Sequence, residues 1–124
     1  MNAKMFWDLE TGFWRGDRAY YEKELATKSL MVFPQPVGVL DREQTLESVG
    51  DSARWDTVRF SEKHYLAPSD DCRVLVYRVH ARREEMPPYE ALCSSVYARV
   101  KFEFVLVSHQ QTPIDCSFRS QKRK

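Results

Sequence analysis

At 124 residues the chain has the length of one domain with a single hydrophobic core, and a second domain does not fit. Its 43% apolar and 13% aromatic content is that of a folded globular protein and excludes a disordered, charge-rich segment. Lys plus Arg number 19 against 18 Asp plus Glu, and a net charge of +1 gives no reason to expect a nucleic acid partner.

No apolar run approaches the ~20 residues of a membrane span, and the first residues lack the apolar length of a signal peptide. A cytoplasmic protein, away from membranes, is the expectation. Cys72, Cys93 and Cys116 are widely spaced with no C-x-x-C pair, so they read as buried or free thiols and not as zinc ligands or a disulfide framework. His64 and His80 are lone histidines with no carboxylate or cysteine at ligand spacing, and no metal site is expected. No phosphate-cradling glycine loop or nucleophile elbow occurs, and no cofactor is implied.

In chain order, Met5, Phe6, Leu9, Phe13 and Trp14 fall on one stripe of a helix over 3–14, capped by Asn2 and bracketed at its end by Gly12 and Gly16. Asp8 and Glu10 are assigned to the solvated side of that helix. Asp17 caps a second helix over 18–26, with Tyr20, Tyr21 and Leu25 as its apolar side. A short strand over 29–33 is stopped by Pro34-Gln35-Pro36 and a loop at Gly38. Asp41-Arg42-Glu43-Gln44 has the form of a capping box and opens a third helix over 42–49.

From Trp55 the period becomes two. Trp55, Val58 and Phe60 lead to a turn at Ala67-Pro68-Ser69-Asp70-Asp71, and the strand over 72–83 puts Leu75, Tyr77, Val79 and Ala81 on one face. The strand over 89–100 puts Ala91, Cys93, Ser95 and Tyr97 on one face. A hairpin near 100–103 delivers the last strand, whose plain alternation groups His109 and Gln111 with Val105 and Val107, opposite Phe104 and Leu106. Three helices before a run of antiparallel strands read as α+β, a cone-shaped roll in which the helices pack on a strongly curved, mostly antiparallel sheet. The roll spans 1–113, and 114–124 form a basic tail. Such a cone leaves a cavity at its open end.

Gly38-Val39-Leu40-Asp41-Arg42-Glu43, Tyr77, Arg82, Tyr89, Ser94-Ser95-Val96-Tyr97 and His109-Gln110-Gln111-Thr112-Pro113 resemble the bacterial domain-of-unknown-function 4440 family. That family is similar to SnoaL-like cyclases and ketosteroid isomerase within the nuclear transport factor 2-like superfamily. The resemblance implies an α+β roll with a pocket between helices and sheet, assembled as a homodimer through the outer sheet face. It does not carry one reaction with it, because the superfold hosts isomerases, cyclases, dehydratases and binding modules. The aspartate, tyrosine and protonated acid of the ketosteroid isomerase mechanism have no matching trio here.

Tyr77, Ser95, Tyr97, His109 and Gln111 come from three neighbouring strands and are the polar set expected to meet. Two readings stay open. In one, a small apolar organic ligand enters a pocket walled by Trp14, Phe33 and Trp55 with Ser95 and Gln111 at its polar end. There His109 moves a proton and Tyr77 and Tyr97 hold an oxygen, as in isomerase, cyclase or dehydratase chemistry. In the other, the same residues form a dimer seam of a non-catalytic association module.

Overall fold

The computed structural model describes residues 2–50 and 55–114. Cys116, most of the expected basic tail and the segment just before Trp55 lie outside the described residues. Three helices and six strands follow in the order α1 (Ala3–Arg15), α2 (Arg18–Glu24), β1 (Leu25–Phe33), β2 (Gly38–Asp41), α3 (Arg42–Gly50), β3 (Thr57–Ser69), β4 (Cys72–Arg82), β5 (Tyr89–Val100) and β6 (Glu103–Pro113). The strands make one sheet in the order β2-β1-β6-β5-β4-β3, in which β1 runs parallel to β6 and every other pairing is antiparallel. This is the α+β roll expected of the chain.

The helix starts follow their caps. The Asn2 side chain accepts from the Met5 N–H and the Asp17 side chain from the Tyr20 N–H. At α3 the capping box closes in both directions, with Gln44 N–H donating to Asp41 and Asp41 N–H donating back to the Gln44 amide oxygen. Gly12 does not end α1 as expected but sits inside it. Its place is set by a neighbour, since a Cβ there would lie 2.2 Å from the Tyr20 ring, whose hydroxyl donates to the Leu9 carbonyl.

Three other boundaries move, each for a pairing that local sequence does not reveal. α2 stops at Glu24 and not Ala26 because Leu25 already pairs with Leu106 as the first residue of a nine-residue β1. The loop at Gly38 is a short strand against β1. β3 runs through Ala67-Pro68-Ser69, with the turn confined to Asp70 and Asp71, because β3 is the sheet edge and a proline there removes no needed donor. The β5–β6 turn has no glycine; Lys101 supplies the left-handed residue at φ 61°.

The fourth change matters most for the site. Val96 pairs with Ser108 but Tyr97 pairs with Leu106, so Val107 is an extra residue, a β-bulge. Plain alternation fails across it. His109 therefore shares the concave face with Phe104 and Leu106, not with Val105 and Val107, while Ser108 and Gln110 face outward. The core fills that concave face: Phe6 stands edge-on to Phe104 and Tyr97 at 5.0 and 5.6 Å, and Phe60 packs 4.4 Å from Tyr77. Edge-to-face rings of this kind add to the burial of their area.

Candidate functional site

The apolar stripe of α1 carries a carboxylate in its middle. Phe6, Glu10, Phe13 and Trp14 are four, seven and eight residues apart in turn from Phe6, and all are buried. Glu10 is fully buried, which corrects its assignment to the solvated side; Asp8 alone stays outside, paired with Lys4 at 2.9 Å. A buried carboxylate needs donors, and the sheet provides them. Tyr97 donates to Glu10 Oε1 at 2.7 Å; Tyr77 and, at 2.5 Å, Ser95 donate to Oε2. His109 Nδ1 is 3.4 Å from the same oxygen.

The register explains why these groups meet. Tyr77, Ser95 and Tyr97 are inward residues of β4 and β5, and Ser95 lies directly across from His109 in the β5–β6 ladder. Without the bulge at Val107, His109 would face away. Trp14 Nε1 donates to the Tyr77 hydroxyl at 2.9 Å, joining α1 to the cluster a second time.

The hydrogen count then fixes the imidazole. Ser95 has one hydroxyl proton and gives it to Glu10, so its 2.7 Å contact with His109 Nδ1 takes its proton from the ring. Tyr89 donates to Gln111 Oε1 at 2.8 Å, which turns the amide nitrogen of Gln111 toward His109 Nε2 at 3.1 Å. The result is one continuous path, from Tyr89 through Gln111, His109 and Ser95 to Glu10. It carries the proton on Nδ1, and the Nε2 lone pair accepts from the Gln111 amide at the edge of the cavity.

Charge is arranged to match. Burial alone would raise the Glu10 pKa, but the hydrogen bond and charge of His109, then the Ser95 and Tyr77 hydroxyls, outweigh it and hold the carboxyl below its ordinary value. Burial and the Glu10 charge push Tyr77 and Tyr97 well above the phenol range, so both remain donors. Burial, with the Glu10 charge added, pushes the Cys93 thiol up to about 12 and leaves it unreactive.

Above this cluster is a cavity of about 380 Å³. Phe13, Trp14 and Tyr21 wall it from the first two helices, Met31, Phe33 and Leu106 from the sheet, and Thr45 and Val49 from α3. Trp55, Arg83 and Tyr89 form one side, and His109 and Gln111 supply the polar end. Trp14, Phe33, Trp55, His109 and Gln111 thus meet at one cavity. Ser95, Tyr77 and Tyr97 do not line it; they sit beneath, with their hydroxyls committed to Glu10. The sequence reading missed Glu10 and Arg83. Glu10 was findable from its place in the apolar stripe, whereas Arg83 follows the end of β4 with no pattern to distinguish it. Among the described residues no group of three or more His, Cys, Asp or Glu could hold a metal ion, and no helix is long and apolar enough to cross a membrane.

No family model and no curated protein matches this chain. Solved structures do. A candidate ketosteroid isomerase from Parabacteroides distasonis superposes with a TM-score of 0.79 at 13% identity, over 92% of this chain and 89% of the other. An NTF2-like protein of unknown function in nutrient uptake from Rhodospirillum rubrum gives 0.77 at 18% identity, over 93% and 100%. The CamKII hub homology domain of Chlamydomonas reinhardtii gives 0.66 at 16% identity, over 87% and 91%. At these identities the likeness concerns architecture, and the chain has the NTF2-like, ketosteroid isomerase-like α+β fold.

Proposed function

We propose that this chain is a cytoplasmic small-molecule-binding protein of the domain-of-unknown-function 4440 type, working as a homodimer, whose cone takes a small, largely apolar organic molecule. The observation that carries this is the 380 Å³ cavity with largely aromatic walls, to which His109 and Gln111 present polar groups. That volume is at the lower end of the ~300–1,000 Å³ usual for ligand sites and suits a molecule of one or two rings. Where a ligand displaces the Gln111 amide from His109 Nε2, the imidazole is placed to accept a proton from it, the first step of isomerase, cyclase or dehydratase chemistry. Tyr77 and Tyr97 then act through Glu10, holding the carboxylate that holds Ser95 and the imidazole. A free thiol at Cys72 and another at Cys93 agree with a reducing compartment.

The test is a titration of the protein with neutral one- and two-ring aromatics, followed by fluorescence of Trp14 and Trp55. Saturable quenching with Kd of about 10–100 µM is expected, the range that the usual ligand efficiency allows for a molecule of this size. Val49→Trp, which fills the cavity from α3, abolishes it. Unchanged emission across the whole panel rejects the ligand site.

The outer sheet face favours the association reading as a companion. Leu30 and Val32 on β1, Val76 on β4 and Leu92 on β5 are 57%, 41%, 39% and 44% exposed, on the face away from the helices. Through the ladder, Val32, Gln110, Ser94 and Val76 form one transverse row. Such a surface suits a second copy of the chain. Leu92→Asp is expected to convert a dimer to a monomer in sedimentation equilibrium, and a wild-type monomer at 100 µM protein, roughly where weak transient pairs already associate, rejects the homodimer.

A further inference from the structure

We infer that the molecule taken by the cavity carries a hydroxyl directly on a flat ring, a phenol whose O–H donates to His109 Nε2 while its oxygen accepts from the Gln111 amide. The inference rests on the reading of the cone as a ligand site and adds the chemical class of the ligand. Its first support is the proton inventory of these two residues, both of which line the cavity. Ser95 gives its one hydroxyl proton to Glu10, so His109 carries its proton on Nδ1 and offers Nε2 as a lone pair. Tyr89 donates to Gln111 Oε1 at 2.8 Å, and the amide nitrogen, with two N–H groups, stands 3.1 Å from Nε2. An acceptor and a donor therefore stand side by side.

A group that enters between them must give one hydrogen bond and take another, and a hydroxyl does both through a single oxygen. An ether, a carbonyl or a carboxylate takes the Gln111 N–H but turns a lone pair toward Nε2. An ammonium donates to Nε2 but has no lone pair for Gln111. Gln111 is half-buried near the end of β6 whereas His109 is buried among rings, so it is the amide that yields to the entering oxygen. The second support is reach. The His109 ring centroid is 6.1 Å from those of Trp14 and Phe33, and Trp14 is in turn 6.4 Å from Tyr89, which stacks on Trp55 at 5.6 Å and 17°. A planar body packed on these rings brings its own edge to the imidazole, so the hydroxyl belongs on the ring and not at the end of a chain.

The experiment is calorimetric titration of the full chain with three probes built on indane, its ring phenol, the methyl ether of that phenol and the matching ring aldehyde. The phenol is expected to bind about tenfold tighter than either of the others, the worth of one well-placed hydrogen bond that they cannot give. In His109→Phe the ratio of phenol to ether affinity falls to about one, because the acceptor is gone. If His109→Phe does not fold, the wild type alone decides through the side-chain amide resonances of Gln111 in nitrogen-edited spectra, which move when the phenol is added and hold their place with the ether. Equal binding of phenol and ether, a preference that survives His109→Phe, or Gln111 resonances indifferent to the phenol overturns the hydroxyl assignment and leaves the ligand site standing. Failure of all three probes to bind overturns both.

Discussion

Replacing Glu10 by Ala is expected to cost about 3–5 kcal/mol in urea unfolding, the range seen when one partner of a buried charged cluster is removed. The reason is arithmetic of donors. Glu10 accepts from Tyr77, Tyr97 and Ser95 inside the core, and His109 Nδ1 stands 3.4 Å away. Each buried hydroxyl left without an acceptor costs roughly 1–3 kcal/mol, so truncation leaves several penalties at once. Against a total stability of about 5–15 kcal/mol for a single domain, this is a third or more of the margin. Glu10→Gln should cost less, because the amide keeps one acceptor oxygen, although its NH₂ then confronts groups that are themselves donors.

A double-mutant cycle separates this from simple loss of packing. Tyr97→Phe removes the donor to Oε1, and the coupling between it and Glu10→Gln should reach about 1–3 kcal/mol because the two share one hydrogen bond. Additive effects, or a Glu10→Ala cost below about 1 kcal/mol, would mean that the carboxylate does not organise the core.

How much of this was legible beforehand depends on which residues decide each feature. The α+β order, the caps at Asn2, Asp17 and Asp41, and the inward faces of β4 and β5 follow from local pattern, because period and cap chemistry act within a few residues. The concave position of His109 does not. It depends on one unpaired residue, Val107, and a bulge is a property of two strands, so a single strand read by alternation leaves open which face the imidazole joins. Glu10 shows the opposite case: its spacing within the apolar stripe was visible, but an average over charged residues places a glutamate in water. Only the three hydroxyls on β4 and β5, more than sixty residues later in the chain, make its burial tolerable. Arg83 was illegible for a similar reason, since its stacking on Trp55 joins the residue after β4 to one before β3.

The same cluster sets an acid limit on the fold. Burial pushes the Glu10 carboxyl up, but His109, Ser95 and Tyr77 bring it below its unfolded value of about 4.3. A carboxyl that holds its proton more weakly when folded takes one up on unfolding in the interval between the two pKa values. The stability it contributes is therefore complete above the unfolded value, falls as pH drops through that interval, and is gone below the folded value. The hydroxyls facing Glu10 reinforce the effect, because Tyr77 and Tyr97 stay protonated throughout. Wild type should therefore lose stability more steeply than Glu10→Gln below about pH 4.3, by a slope approaching one proton, or ~1.4 kcal/mol per pH unit. Urea unfolding of both proteins from neutral pH down through the acid range below about 4.3 measures this directly. Parallel curves through the acid range would place the titrating carboxylates elsewhere, and a crossing, with wild type the more stable only above the interval, would assign the acid limit to Glu10.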